Sequence, residues 1–225
     1  MVMLVLFDID DTLLDHRAAM RCGAACLHHN IGAPMPLEEF LVRWQRALDR
    51  HYARFVAGLV SFQAQRRDRI REVIDSSLTD QAADGIFAQY LAGYEAGWSL
   101  FSDVSPCLDS LSRHRLGVVS NGQVHQQRKK LAQTGILDRF ECVVISEECG
   151  CAKPDPNIFL RACGRVGEAP ENVVYVGDQY DLDAEAARTA GLQGIWLDRH
   201  QRATAKHGPP VIESLNELDA FLVGE

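Results

Sequence analysis

The sequence predicts a doubly wound, mainly parallel α/β sheet, interrupted after its first strand by a block of helices. Three observations carry this. Short apolar runs at 2–7, 116–119, 142–145, 173–176 and 194–197 are rich in Val and Ile and do not alternate with polar residues, as strands buried on both faces should not. Stretches with helix-start signals separate the later runs, so strand and helix alternate from about residue 105 to the end. Between residues 16 and 100 no convincing strand appears, and apolar residues recur at helical spacing instead.

In chain order, the run 2–7 is the first strand and leads directly into Asp8. The helical block follows: Leu41, Trp44, Leu48, Tyr52 and Phe55 form one periodic stripe, and Phe87, Leu91 and Tyr94 another. These aromatic residues read as the core of a small bundle. The arginines at 66, 67, 69 and 71 read as an exposed helix face, although one of them could serve an anionic substrate. Ser105-Pro106 and Asp155-Pro156 each place an N-cap residue before proline at the first helical position. The expected organisation is an α/β core of residues 1–15 and 101–225 with a helical insert at 16–100.

The bulk properties exclude several classes. At 225 residues the chain can bury one substantial core plus a smaller unit. A formal net charge of -8 argues against a face for a nucleic-acid polymer, which needs a basic footprint. No apolar run approaches the roughly 18 residues of a membrane span, and the opening MVMLVLF is too short for a secretion signal. The seven cysteines are odd in number and lack zinc-site spacing. Reduced thiols and a cytoplasmic location are therefore expected. Nothing in the pattern addresses oligomeric state.

Chemistry concentrates where predicted strands end, the place where open α/β sheets bind ligands. Asp8, Asp10 and Thr12 follow the first strand in FDIDDTLLD. Ser120, Asn121 and Gly122 follow the next in VVSNG, and Lys153 lies in the loop after the third in AKPDPNIF. Asp178, Asp181 and Asp183 follow the fourth in VGDQYDLD. Carboxylates, a hydroxyl and one lysine converging on one rim suit phosphoryl transfer. A carboxylate can attack phosphorus and split hydrolysis into two easier steps. A divalent cation must then offset the repulsion between carboxylate and phosphate. Oxygen ligands from Asp8, Asp178 and a backbone carbonyl suit Mg2+, and Lys153 can neutralise what charge remains. The Ser120 hydroxyl can donate to phosphate oxygens, and a second carboxylate, Asp10, can protonate the leaving oxygen and later deprotonate water.

Taken together, these four motifs, in this order, resemble those of the haloacid dehalogenase superfamily, with the helical insert where that family places a cap between its first two motifs. The resemblance covers the core and implies a Rossmann-like sheet. It implies Asp8 as nucleophile, Asp10 as general acid/base, Ser120 and Lys153 at the phosphate and Asp178 as metal ligand, with Asp10 lending its backbone carbonyl to Mg2+. Asn121 is read as either orienting its loop or touching phosphate, and Thr12 as mainly satisfying its own turn. Asp181 and Asp183 compete for the last acidic position; Asp183 is favoured for an outer contact to Lys153 or a metal-bound water. Members of this family that remove halide from carbon lack an aspartate two residues after the nucleophile, so Asp10 points to phosphoesters.

The expected activity is hydrolysis of a small phosphorylated metabolite, of nucleotide or sugar-phosphate type, through an aspartyl-phosphate. The alternatives are a phosphoryl-transfer mutase, a haloacid dehalogenase and a catalytically silent binding protein. The substrate itself is not encoded in any motif.

Overall fold

The computed structural model describes residues 2–201 and 208–223. Contacts divide the chain into two compact units, residues 1–15 with 99–225 and residues 16–98. In chain order the elements are β1 (Leu4–Phe7), α1 (His16–Asn30), α2 (Leu37–Val56), α3 (Phe62–Val73), α4 (Asp80–Ala96) and α5 (Val104–Ser110). They continue with β2 (Arg115–Ser120), α6 (Val124–Gln133), β3 (Cys142–Ile145), α7 (Ser146–Cys149) and α8 (Pro156–Val166). The chain closes with β4 (Val173–Gly177), α9 (Ala186–Thr189), β5 (Gln193–Leu197), β6 (Val211–Ile212) and α10 (Leu218–Val223).

In the first unit the strands form one sheet in the order β3-β2-β1-β4-β5-β6, every pairing parallel. β1 is central because all four of its residues are apolar and fully buried; each such side chain contributes about 1.5–3 kcal/mol by leaving water. It aligns Phe7 with Val118 on one side and with Val176 on the other. The sheet is therefore built outward in both directions from β1. The crevice at that switch point lies beyond the carboxyl ends of β1, β2 and β4. The predicted fold class is the observed one, with one addition: β6 is only two residues long, too short for periodicity to reveal.

The two proline-linked caps behave differently. The Asp155 carboxylate accepts from the Asn157 backbone N–H at 2.9 Å and starts α8 as expected. Ser105 does not cap α5: that helix begins one residue earlier, at Val104, with Asp103 before it. The Asp103 carboxylate is used elsewhere, accepting from Arg199 at 2.8 and 3.0 Å, from the Ser214 hydroxyl at 2.8 Å and from the Leu215 N–H at 2.9 Å. Arg199 also donates to the Thr12 carbonyl at 2.8 Å, tying this network to the loop after β1.

The second unit consists of α1 to α4. Ser61 and Thr79 cap α3 and α4 through their hydroxyls. Its core is aromatic: Trp44 is 1% exposed and its ring centroid lies 4.4 Å from that of Tyr90 and 6.2 Å from that of Phe40. Tyr52 and Phe55 are only half-buried and pack on each other, so the buried stripe of α2 runs through Phe40, Leu41, Trp44, Ala47 and His51. The arginine cluster is not one exposed face. Arg67 pairs with Asp80 and Asp84, and Arg71 with Asp80. Arg69 is buried, its guanidinium 5.1 Å from the Trp44 and Phe87 ring centroids and 5.6 Å from that of Tyr90, where cation–π attraction offsets part of its desolvation.

All seven cysteines are free thiols. Among the described residues, no helix is long and apolar enough to cross a membrane.

Candidate active site

The site grows from the end of β1. The Asp8 N–H donates to the Val176 carbonyl at 3.0 Å, so the sheet ladder holds the backbone of Asp8 even though the strand formally ends at Phe7. The chain then turns tightly: Leu13 and Leu14 N–H groups both reach the Ile9 carbonyl at 2.9 Å, and Asp11 sits at φ 58°, a left-handed conformation that aspartate tolerates better than most residues. This turn buries the Asp8 carboxylate and leaves that of Asp10 at 29% exposure.

Lys153 ties the end of β1 to β4 and the turn that follows it. Its ammonium donates to Asp8 Oδ1 at 2.7 Å, to Asp183 Oδ1 at 2.6 Å and to the Tyr175 hydroxyl at 2.9 Å. The Tyr175 O–H in turn lies 3.0 Å from Asp183 Oδ1 and 3.1 Å from the Val119 carbonyl. Asp183 Oδ2 accepts from the Gln179 N–H at 3.0 Å, within a turn of π-helix over Tyr180–Glu185. Gly177 permits this approach, because a Cβ there would collide with the Asp183 carboxyl group. Asp181 is exposed, so of the two competing acids it is Asp183 that faces Lys153.

The second motif divides its labour. Ser120 ends β2 and is 1% exposed, its hydroxyl accepting from the Gln127 amide at 3.0 Å. The side-chain amide of Asn121 is engaged at both ends with Lys153: its NH2 donates to the Lys153 carbonyl at 3.0 Å and its Oδ1 accepts from the Lys153 N–H at 2.8 Å. Both groups of the Asn121 side-chain amide are thus engaged by the backbone of the lysine loop. Thr12 is fully buried in the turn after β1, and its hydroxyl has no hydrogen-bond partner among the described residues.

Asp178 follows β4, its carbonyl accepting from Trp196 Nε1 at 3.0 Å. One carboxylate oxygen from each of Asp8, Asp178 and Asp183 can be chosen so that all lie within 4.8 Å of one another. The Asp10 side chain is not in this group. Ionised, three carboxylates against the single Lys153 ammonium leave an excess of two negative charges, which matches a divalent cation. Burial first, and the crowding of charges second, set the titration behaviour. Burial raises Asp8 to about 6, with Lys153 pulling it back and Asp183 and Asp10 adding to the rise. Burial, then Asp8 and Asp183, raise Asp178 to about 8. Burial alone would lower Lys153, but Asp183 and Asp8 outweigh it and hold the ammonium well above the usual lysine value. Hard oxygen donors with surplus negative charge fit Mg2+.

Three participants escape sequence reasoning. Tyr175 reads as one more apolar strand residue. Gln127 and Lys130, on one face of α6, both reach Asp10: Lys130 Nζ lies 2.6 and 2.7 Å from its two oxygens, and Gln127 Nε2 3.0 Å from Oδ2. The available signal was their spacing of three beside Leu131, which puts two polar residues on the buried side of a helix.

A family model described as haloacid dehalogenase-like hydrolase matches residues 2–191. The glyceraldehyde 3-phosphate phosphatase of Methanopyrus kandleri is 32% identical over 206 residues, spanning 88% of this chain and 85% of its own. The phosphoserine phosphatase of Thermus thermophilus is 27% identical across 97% of this chain and 98% of its own. Among solved structures, the magnesium-bound HAD-hydrolase YfnB from Bacillus subtilis shares the fold with a TM-score of 0.84 over 98% of each chain, at 23% identity.

Proposed function

The chain belongs to the haloacid dehalogenase-like hydrolase family, and from that premise we propose that it hydrolyses a small-molecule phosphomonoester through an aspartyl-phosphate on Asp8. The observation that carries this reading is the placement of Lys153 Nζ between Asp8 and Asp183, two of the three acids whose carboxylate oxygens gather with that of Asp178. That arrangement presents a nucleophile, a fixed cation and a hard-oxygen site at one strand rim. Two relatives are named as phosphatases of small phosphorylated molecules, which supports the same class of substrate.

Asp8 attacks phosphorus, forming one P–O bond as the bond to the leaving oxygen breaks. Asp10 delivers a proton to that oxygen, then takes one from the water that hydrolyses the acyl phosphate. Lys153 neutralises charge shared by Asp8 and the transferring group, and the Ser120 hydroxyl donates to a phosphate oxygen. Asp183, Tyr175 and Asn121 hold Lys153 in place. Mg2+, held by Asp8, Asp178 and the Asp10 carbonyl, would supply the charge neutralisation that lets a carboxylate approach a phosphate dianion.

A screen of nucleoside monophosphates, sugar phosphates and other phosphorylated metabolites with Mg2+ tests this. Release of inorganic phosphate from at least one is expected. An isomerised sugar phosphate in place of free phosphate, halide release from a haloacid, or no turnover of any ester would reject it.

A further inference from the structure

The Asp10 side chain lies outside the group formed by Asp8, Asp178 and Asp183. Two donors from a single helix face hold it instead. Lys130 approaches both oxygens at 2.6 and 2.7 Å, and its side chain is 2% exposed although that of Asp10 is 29% exposed. Gln127, also 2% exposed, donates to Asp10 Oδ2 at 3.0 Å. The same amide lies 3.0 Å from the Ser120 hydroxyl and 3.2 Å from the Asn121 carbonyl. Residues 127 and 130 are three apart in α6, so one rigid element carries both contacts.

A half-exposed aspartate in a tight turn samples several rotamers, and each rotamer aims its oxygens differently. An ammonium bridging both oxygens, with an amide on the second, selects one orientation. Burying a lysine is unfavourable unless it is paired, and here the partner is the carboxylate two residues beyond Asp8. Gln127 adds a link to the end of β2, so the position of Asp10 is set relative to Ser120 as well as to its own turn.

We propose that Lys130 and Gln127 are positioning residues for the acid/base step, fixing the Asp10 carboxylate where the leaving oxygen departs. This rests on the phosphatase reading above. The role lies in orientation, so it is measured by the demand each leaving group makes on Asp10.

The test compares kcat/KM for para-nitrophenyl phosphate and phenyl phosphate with Mg2+. This parameter reports steps up to the first irreversible one, transfer to Asp8. The two esters are similar in shape, but the phenolate of the second needs far more protonation as it leaves. Lys130→Met is expected to lower kcat/KM for phenyl phosphate about 100-fold, within the usual general-acid contribution, and for the nitrophenyl ester less than about 10-fold. Because both esters are assayed on one preparation, their ratio does not depend on how much of the variant is folded. In an Asp10→Asn background, Lys130→Met is expected to change the rates less than about 3-fold, since coupled residues are not additive. Gln127→Leu should shift the ratio in the same direction as Lys130→Met, by less. An unchanged ester ratio in Lys130→Met, or its full separate loss in the Asp10→Asn background, overturns the proposal while leaving the phosphatase reading intact. Wild-type protein that releases phosphate from neither of these esters nor any metabolite of the screen overturns both.

Discussion

Lys153 Nζ lies 2.7 Å from Asp8 Oδ1, although the two residues are 145 positions apart in the chain. The contact exists because β1 is central in the sheet and the loop between α7 and α8 returns to its carboxyl end. Asp183 closes the other side of the ammonium at 2.6 Å. The lysine is thus a fixed positive charge within a cluster that otherwise carries only negative ones.

Lys153→Met removes that charge at similar volume. Losing one preorganised charge partner typically costs about 10²–10³ in kcat, and at least that much is expected here with a folded protein by circular dichroism. Lys153→Arg should not restore the rate, because a planar guanidinium cannot replace a point charge in a buried three-acceptor pocket. Wild-type turnover by Lys153→Met would show that the charge at Lys153 is dispensable, and by Lys153→Arg that its compact ammonium geometry is.

Divalent cation binding should be visible without catalysis. The cluster of Asp8, Asp178 and Asp183 carries surplus negative charge, so Mg2+ should raise the melting temperature of chelator-treated protein by mass action. At about 100-fold above Kd the stabilisation is about 2.7 kcal/mol. Asp178→Asn should abolish the shift, and chelation should stop turnover. A melting temperature unchanged by Mg2+ would contradict the metal site.

Much of this was legible in the sequence because buried parallel strands are continuous apolar runs, and the runs ending at Phe7, Val119 and Val176 point to the residues that follow them. Asp8, Ser120 and Asp178 could be placed on one rim for that reason, and Lys153 joins them from the loop after the run 142–145. The resemblance then ordered them into roles. Long-range partnerships were not legible. Asp103 and Arg199 are 96 positions apart, and nothing local marks Asp103 as an ion-pair partner in place of a helix cap. Lys130 and Gln127 sit in VHQQRKKL, a stretch whose polarity reads as a solvated helix. Only the tertiary fold shows which of its polar residues turn inward.

The Asp103 network gives a stability prediction with a sign. Burial alone would raise its carboxyl, but hydrogen bonds from Arg199, Leu215 N–H and Ser214 hold it below the usual aspartate value. A depressed carboxyl contributes stability above its unfolded pKa of about 3.9, and that contribution disappears as pH falls through the lower folded value. Asp103→Asn should therefore destabilise the protein by about 3 kcal/mol near neutrality, the scale for breaking a buried pair. The gap from wild type should narrow in denaturant titrations below about pH 4. A constant gap from neutral to acid would argue against an ionised role.

The helical unit makes a packing prediction. A Cβ at Gly93 in α4 would lie 2.6 Å from Cys26 Cβ and 3.1 Å from Gly23 Cα, both in α1. Helix–helix approach this close leaves no room for a methyl group. Gly93→Ala should cost about 1–3 kcal/mol from overpacking, despite alanine's higher helix propensity. A gain in melting temperature would mean that the two helices can separate without penalty.

The central claim is that Asp8 carries the phosphoryl group. The direct measurement is a rapid acid quench of Asp10→Asn reacting with para-nitrophenyl phosphate and Mg2+, followed by mass spectrometry of the peptide containing Asp8. Nitrophenolate leaves with little help from an acid, whereas hydrolysis of the acyl phosphate needs a base, so the intermediate should accumulate. The predicted result is a nitrophenolate burst of about one per enzyme with a phosphoryl group on Asp8, absent when Asp8→Asn is added. Steady release of phosphate with Asp8 unmodified throughout would contradict the account.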